Sequence, residues 1–473
     1  MKVLLINPTS YFEVIGNNPS ALESSRGYSP PLGLLLLAGY LRDHTNHSVK
    51  IIDAQASELT WQQIGDHIEK FKPDVVGLTV MTQTLIDSMR VVEIVKARSS
   101  SSKIVLGGPH VHLFPNETIE LPGVDYLILG EGEIPFSALL NGLESKSSLE
   151  SIKGLVFKHR SKIINTGFPE LIRDMDALSF PARELLDVNL YDSVLLQRTP
   201  VTTMFTSRGC PYACSFCDRP HLGKRFRARS AENVLEEFEQ CIAMGIRDFL
   251  IYDDTFTVKR QRVMDICQGI IDRKLDINFD VRARVDTVDR EMLELMKRAG
   301  CKGIHYGVEA GTEKILKVLR KGITLKQVEE IFALTKQIGI KTLAYFMIGS
   351  PTETLEDIYQ TFKFAKQISP DFFHLAVLTP FPGTQLYAQA LSSGVIETDV
   401  WREFAANPHM GFVPPFWKEN FTLEELNDLL IKGYKKFYRR PSYLFQRILD
   451  VRSKEELYKK AKAGFKLLTM KNK

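Results

Sequence analysis

Short apolar runs and longer amphipathic stretches alternate along most of this chain. In the first part the apolar runs are VLLIN (3–7), VKIIDA (49–54), VVGLTV (75–80), KIVLGG (103–108) and DYLILGEGE (125–133). Helical patterns lie between them, from about Pro31, near 60–71 and near 84–98. Continuous apolar strands separated by helices belong to a parallel sheet covered on both faces. Five such strands predict an α/β domain of the flavodoxin-like (Rossmann-type) class over residues 1–145. In that class ligands sit beyond the carboxyl ends of the strands. The candidate cofactor contacts there are Asn7, Asp53, Thr79, Gly107, Gly108, Gly130 and Glu131, with Thr82 beside them. The plain alternative is that the glycines only make tight turns.

Residues 146–195 read as a connector: GLVFKHRSKII suggests a hairpin, and FPELIRDMDALSFPARELLD is a proline-punctuated wrap between domains. The strand-then-helix rhythm resumes over 196–390. Strands are expected at VTTMFTS (201–207), DFLIYDD (248–254), INFDVRARV (277–285), GIHYGVEA (303–310), KTLAYFMIG (341–349) and FFHLAVLTP (372–380). Six such units make a partial (β/α)6 barrel, whose chemistry belongs at the carboxyl ends of its strands. Residues 391–473 form a helical, basic C-terminal region.

Composition sets limits on this picture. At 473 residues, 44% hydrophobic and 25% charged, the chain can bury more than one core. No apolar run approaches the roughly 20 residues that span a bilayer. MKVLLINPTS ends its apolar part at Asn-Pro, so a buried first strand is expected rather than a signal peptide. Six cysteines are too few for a disulfide scaffold and imply a reducing cytoplasm. Cys241, Cys267 and Cys301 lie singly in apolar segments and read as core residues. Net charge is +4, yet from Lys432 onward there are 14 Lys or Arg against 3 Asp or Glu, a local +11 that leaves the rest at −7. KKFYRRPSYLFQRIL has three readings: a solvated helix face packed on the barrel, a peripheral contact with an anionic membrane, or a phosphate-gripping surface. No recognisable RNA-binding module accompanies it, so nucleic acid is not the expected partner.

The chemistry concentrates in SRGCPYACSFCDRP (207–220), where Cys210, Cys214 and Cys217 follow the first barrel strand as C-x-x-x-C-x-x-C. Three thiolates can hold three irons of a 4Fe–4S cube and leave the fourth open, whereas zinc and ordinary ferredoxin sites take four ligands. The nearest candidate for a fourth, zinc-type ligand is His221, directly after Pro220. Phe216, between the second and third cysteines, can shield a cluster.

C-x-x-x-C-x-F-C after a first barrel strand resembles the radical S-adenosylmethionine (SAM) superfamily. The resemblance implies that the amine and carboxylate of SAM chelate the open iron. It implies that the cluster splits the sulfonium bond to give a 5′-deoxyadenosyl radical that takes a hydrogen from substrate. Within IYDDTFT (251–257), Asp253 or Asp254 would face the methionine amine, and Asp254 is preferred; no Gly-Gly-Glu is present there. VRARVD (281–286) offers Arg282 and Arg284, which alternation would point the same way. Arg284 is preferred for the methionine carboxylate. GVEAG (307–311) puts Glu309 where the family binds the ribose hydroxyls, and MIGSPTET (347–354) and LTPFPGT (378–384) match the fifth and sixth strand tips.

The first domain resembles the cobalamin-binding domain of one large radical SAM subgroup, through INP, YSPPLGLLLLAGYLR (28–42), LTVMTQT (78–84), GGPHVHLFP (107–115) and DYLILGEGE. That subgroup includes the anaerobic magnesium-protoporphyrin monomethyl ester cyclase and the hopanoid methylases. FYRRP (437–441) fits the same branch. The Asp-x-His-x-x-Gly of classical cobalamin domains is absent, since NPTSYF stands there; His110 and His112 read as loop residues. The implied cofactors are a 4Fe–4S cluster, SAM and cobalamin. The implied activity is methyl transfer to an unactivated carbon of a small or lipid-like substrate, with a flavodoxin or ferredoxin as reductant. Oxidative cyclisation or ring rearrangement without methyl transfer, on a tetrapyrrole or lipid, and a non-catalytic cobalamin or redox sensor are the alternatives.

Overall fold

The structure is a computed structural model, and it describes residues 1–14, 28–193, 196, 198–218, 224–441 and 443. His221, and the last part of the basic tail from residue 444 on, lie outside the described residues.

The first sheet contains β1 (Lys2–Asn7), β2 (Ser48–Asp53), β3 (Val75–Thr79), β4 (Lys103–Gly107), β5 (Tyr126–Ile128), β6 (Leu155–His159) and β7 (Lys162–Asn165). Its order is β2-β1-β3-β4-β5-β6-β7, with the first five parallel and the last two antiparallel. The 2-1-3-4-5 portion is the flavodoxin-like order. β1 shows why these strands carry no polar alternation. Val3 and Leu5 enter one core while Leu4 and Ile6 enter the core on the opposite face. The hairpin assigned to the connector belongs to this sheet instead. Leu155, Val156 and Phe157 are buried, and Phe157 stands opposite Tyr126 in the antiparallel ladder. An apolar edge at β5 is thereby covered, a need invisible from the hairpin's own residues.

The second sheet takes β8 (Val201–Met204), then, beyond the short ribbon of β9 (Ser207–Arg208) and β10 (Arg227–Ala228), β11 (Asp248–Ile251), β12 (Asn278–Ala283), β13 (Cys301–Glu309), β14 (Lys341–Ile348) and β15 (Phe372–Val377). The six long strands run β15-β14-β13-β12-β11-β8, all parallel, as an open barrel with helices outside. Local capping starts the helices where the pattern predicts. Thr60 and Gln63 before Trp61–Phe71, Thr324 and Gln327 before Leu325–Ile338, and Thr422 and Glu425 before Leu423–Tyr438 exchange reciprocal cap bonds. Each box satisfies N–H groups that a helix start leaves orphaned.

The connector runs along helix Leu32–His44 and delivers the buried Arg183 to the barrel, where it pairs with Glu237 at 2.6 Å and donates to Thr202 and to the Thr203 carbonyl. Helix Leu423–Tyr438 closes the barrel's free edge. The Tyr434 hydroxyl accepts from Leu375 N–H and donates to its carbonyl, both at 2.9 Å, and Tyr438 does the same at Phe373. The first part of the basic region therefore packs on the barrel through its aromatic face and leaves Lys432, Lys435 and Lys436 outward. No helix among the described residues is long and apolar enough to cross a membrane.

Because Tyr434 satisfies two buried edge groups at once, Tyr434→Phe should cost about 1–3 kcal/mol. A lowered urea midpoint of the barrel and faster exchange of the Leu375 amide are the expected readings; an unchanged Leu375 exchange rate would contradict this role.

Candidate active site

The cysteine loop leaves β9 through Gly209 and is held before it starts. Asp253, fully buried, accepts from Thr206 N–H and hydroxyl at 2.6 Å each and from both the N–H and hydroxyl of Ser207. Further along, Ser215 N–H donates to the Leu319 carbonyl at 3.0 Å, and Leu386 N–H donates to the Ser215 carbonyl at 2.9 Å. Cys210 is buried, Cys214 half-buried and Cys217 exposed, and all six cysteines of the chain are free thiols. Two sulfurs meet polar groups: Cys210 Sγ lies 3.8 Å from Thr255 Oγ1, and Arg284 Nη1 lies 3.8 Å from Cys214 Sγ.

Arg284 is engaged within the protein. Its guanidinium already spans Asp286 through two bonds of 2.8 and 2.9 Å, donates to the Lys321 carbonyl and stacks on Tyr212 at 3.9 Å. A fork taken by one carboxylate does not grip a second bidentately; what Arg284 offers is a positive charge beside Cys214. β12 ends at Ala283, so strand alternation does not extend to Arg284. Arg282, on the strand, remains exposed, 4.4 Å over the Tyr252 ring. The two aspartates also separate: Asp253 is spent on the loop, while Asp254 is exposed at the tip.

Glu309 is buried at the end of β13 with a left-handed backbone (φ 74°), a strained conformation for a residue with a Cβ. Its Oε1 receives Lys321 Nζ at 2.6 Å. Gly307 makes room for that pair, since a Cβ there would stand 2.3 Å from Glu309 Oε1 and 2.6 Å from Lys321 Nζ. Lys321 Nζ also lies 6.0 Å from the ring of Phe216, so Phe216, Lys321 and Glu309 form one patch beside the cysteines. Lys321, Thr255 and Tyr212 were missed by sequence reasoning. Nothing local marks them except the Gly322 that follows Lys321.

The first domain's strand tips divide into two groups. Asn7 and Asp53 are bonded to each other at 2.8 Å, and the other Asp53 oxygen accepts from the Tyr191 hydroxyl of the connector at 2.9 Å. Asp53 thus serves as a buried tie to the connector. Glu131 is likewise engaged within the protein. Its two oxygens take Arg208 at 2.8 Å, Arg227 at 2.7 Å and Ile172 N–H at 2.8 Å, and Glu133 takes the other Arg208 nitrogen. Arg208 precedes Gly209 and Cys210 directly, so these carboxylates bind the first domain to the root of the cysteine loop. Thr79, Gly107 and Gly130 stay half-buried at the tips. Gly108 has φ 98° and lies where a Cβ would meet the Val80 carbonyl at 2.9 Å, so it serves a tight turn. In the NPTSYF loop the buried Asp87 accepts from Thr9, Tyr11 and Phe12, leaving both aromatic side chains exposed beside Trp61. His110 is fully buried, with Nδ1 3.0 Å from Thr82 Oγ1, and burial lowers its pKa to about 3. His112 packs on Phe168.

At the β14 tip the buried Glu353 accepts from Gly349 N–H at 2.6 Å and Ser350 N–H at 2.8 Å, and burial pushes its carboxyl up to about 7.

With this geometry in view, similarity to known proteins gives the class. The radical SAM superfamily profile matches residues 204–365, and that of the B12 binding domain matches residues 20–140. An uncharacterized methyltransferase of Pyrococcus horikoshii is 35% identical over 455 residues, covering 95% of both chains. The anaerobic magnesium-protoporphyrin IX monomethyl ester cyclase of Rubrivivax gelatinosus is 28% identical over 94% of this chain and 78% of its own. Among solved structures, the cobalamin-dependent SAM radical enzyme OxsB superposes with a TM-score of 0.75 over 98% of this chain and 71% of that one, at 19% identity. The radical SAM methyltransferase TsrM of Kitasatospora setae superposes at 0.69 over 84% and 79%, also at 19%. The chain belongs to the radical SAM superfamily, in the subgroup whose barrel follows a B12-binding domain. It is an enzyme, and its cofactors are a 4Fe–4S cluster, SAM and cobalamin.

The loop's chemistry fits a cluster. Its three free thiols share one loop, and Thr255 Oγ1 and Arg284 Nη1 each lie 3.8 Å from a sulfur, the kind of polar surroundings that tune a cluster's potential. Among the described residues no three His, Cys, Asp or Glu side chains converge on a point for a single ion. A cube takes each thiolate at a separate iron, here three of its four, and so does not ask them to converge on one point.

The raised Glu353 carboxyl ties stability to pH. A folded-state value near 7 against an unfolded value near 4.5 means the native state holds the proton longer, so its contribution is full below 4.5 and is lost as pH rises through 7. Thermal midpoints at pH 5 and pH 8 should therefore differ more for the wild type than for Glu353→Gln; equal pH responses would contradict this assignment.

Proposed function

We propose that the chain is a cobalamin-dependent radical SAM methyltransferase acting on an unactivated carbon of a small or lipid-like molecule. The observation that carries this reading is the Glu131–Arg208–Glu133 bridge, which ties the B12-binding domain to the residue two before Cys210. Cys210, Cys214 and Cys217 are assigned as the three cluster ligands, with Phe216 shielding them. Arg284 adds positive charge beside Cys214. Asp254, exposed at the β11 tip, is assigned to the methionine amine. Arg282, whose fork is not spanned as Arg284's is, takes over the methionine carboxylate. Glu309, fixed by Lys321, is assigned to the ribose hydroxyls. Thr79, Gly107 and Gly130 form the corrin-facing tips. When bound, the cluster supplies the electron that splits the sulfonium bond and cobalamin carries the methyl group. The chain's residues then hold the two cofactors toward one another and keep water from the space between.

The enzyme needs a reductant and a small-molecule substrate; a flavodoxin or ferredoxin is the proposed donor. The outward Lys432, Lys435 and Lys436 support a peripheral membrane contact, which would suit a lipid-like substrate. Cyclisation without methyl transfer is the second reading, favoured by the similarity to the magnesium-protoporphyrin cyclase. Product mass separates the two, since only the first adds a methyl group.

Anaerobic reconstitution with iron, sulfide and hydroxocobalamin tests the ligand assignment. Alanine at Cys210, Cys214 or Cys217 should abolish both cluster absorbance and SAM cleavage to 5′-deoxyadenosine. Alanine at Cys241, Cys267 or Cys301 should leave both intact, and an essential residue among these three would refute the assignment.

A further inference from the structure

Arg284 leaves one part of its guanidinium without a role in the assignments above. Nε and Nη2 hold the two Asp286 oxygens at 2.8 and 2.9 Å, and Nη2 also donates to the Lys321 carbonyl at 2.7 Å. The remaining nitrogen, Nη1, donates toward Cys214 Sγ at 3.8 Å. The guanidinium also covers the Tyr212 ring, 3.9 Å from its centroid. Tyr212 stands midway between Cys210 and Cys214, so one cation is set against two points of the cysteine loop. Arg284 is buried, at 5% exposure, so water does not screen it well.

A buried arginine kept only for its ion pair would need nothing beyond Asp286. A nitrogen aimed at a cluster sulfur has a further consequence. Arginine does not lose its proton in a protein, so Nη1 is a donor in every state of the site. When an electron enters a cluster, it adds negative charge to a site that already carries three thiolates. Hydrogen bonds to the sulfurs and nearby charge are levers that set a cluster's potential, and both favour the reduced form here. Low dielectric strengthens such a bond. The Asp286 and Lys321 bonds fix the guanidinium beforehand, so no reorganisation is needed when the charge arrives. Asp286 offsets part of the cation's charge, and the neighbouring Lys321 and Glu309 offset each other. The directed N–H is what remains.

We propose that Arg284 sets the reduction potential of the cluster, making it less negative by donating Nη1–H to the Cys214 sulfur. The inference rests on the assignment of Cys210, Cys214 and Cys217 as the cluster ligands. Arg284 is a positioning residue, since it acts through Cys214 and not on substrate; Asp286 and Tyr212 hold its plane in place. The step it tunes is the transfer of one electron from the reductant, a small one-electron carrier protein, into the cube. No bond forms or breaks in that step, and Arg284 keeps its proton throughout. A less negative cluster accepts the electron from a weaker reductant and gives up part of the driving force for splitting the sulfonium bond.

The test is a dithionite titration of the full chain, anaerobically reconstituted with iron and sulfide and kept free of SAM, with the paramagnetic signal of the reduced cube as readout. Arg284→Met keeps the side chain's bulk and loses every N–H. It should lower the equilibrium constant for reduction about tenfold, which is a midpoint about 59 mV more negative for a one-electron couple. Arg284→Lys retains a charge without the fork and should fall between wild type and Arg284→Met. Arg290→Gln removes an exposed charge from helix Arg290–Arg298 and should leave the midpoint where it is. Should Arg284→Met assemble no cluster, Arg284→Lys carries the test alone. A wild-type midpoint in the variant that holds a cluster overturns the proposal. So does a loss of SAM affinity, measured by calorimetry, with the SAM-free midpoint unmoved, because that returns Arg284 to the methionine carboxylate. A wild-type protein that gives no cube signal at all sinks the ligand assignment first, and the two failures are thereby told apart.

Discussion

The architecture depends on one buried charge cluster. Arg208 lies between Glu131 and Glu133, and Arg227 shares Glu131 with it. These groups are almost wholly withdrawn from water, and charges so placed must be paired to be tolerated. Burial works to strip the Glu131 charge, but the two arginines and the Ile172 N–H outweigh it and leave the carboxyl below its usual range. The pairing is also directional. Arg208 is a planar fork with a carboxylate at each end, so a rotation of one domain against the other would break two bonds at once and strand the charges. The first sheet's fifth strand tip and the root of the cysteine loop therefore move as a unit. Asp53 and Tyr191 add a second tie, from the opposite end of the same row of tips.

That constraint also explains which parts of the site were legible in the sequence and which were not. The strands could be read because both faces of each parallel strand are covered, so β1 shows an unbroken apolar run with no competing pattern. The cysteines could be read because their ligand geometry is local, three thiols within eight residues. The ties made by Glu131 and Asp53 were not legible, because position at a strand tip can be read while the partner cannot. Arg208 lies 77 residues beyond Glu131, and Tyr191 lies 138 beyond Asp53. A polar residue at a tip can face a ligand or tie two domains together, and only tertiary contact distinguishes these. The partner of Arg284 was hidden for a more local reason. The strand ended one residue earlier than alternation assumed, and Asp286, two residues on, took its fork.

Strain lies at the same place as the chemistry. Glu309 holds a left-handed backbone beside a buried lysine, and Gly307 leaves the space that pair occupies. Backbone strain of this kind persists only where surrounding contacts over-determine it. Here the Lys321 bond, the Arg284 bond to the Lys321 carbonyl and the Leu319 bond to Ser215 do so, all within the segment that follows β13. The short helix after β13 is thus a brace for the cysteine loop, although its sequence looks like an ordinary amphipathic turn.

The barrel itself separates rigidity from access by strand face. Outward residues of β13, β14 and β15 make one continuous core with the helices, and helix Leu423–Tyr438 caps the edge so that this core does not fray. Inward residues are released from packing and are free to be polar, which is why Asp280, His305, Tyr345 and His374 can stand on strands whose other faces are almost purely apolar. A curved parallel sheet encloses its open face, so the polar residues there sit in a confined space of low dielectric, where each hydrogen bond discriminates more sharply than at a free surface. The period-two alternation of these barrel strands divides the labour within each, one face packed for stability and the other left open toward the lumen.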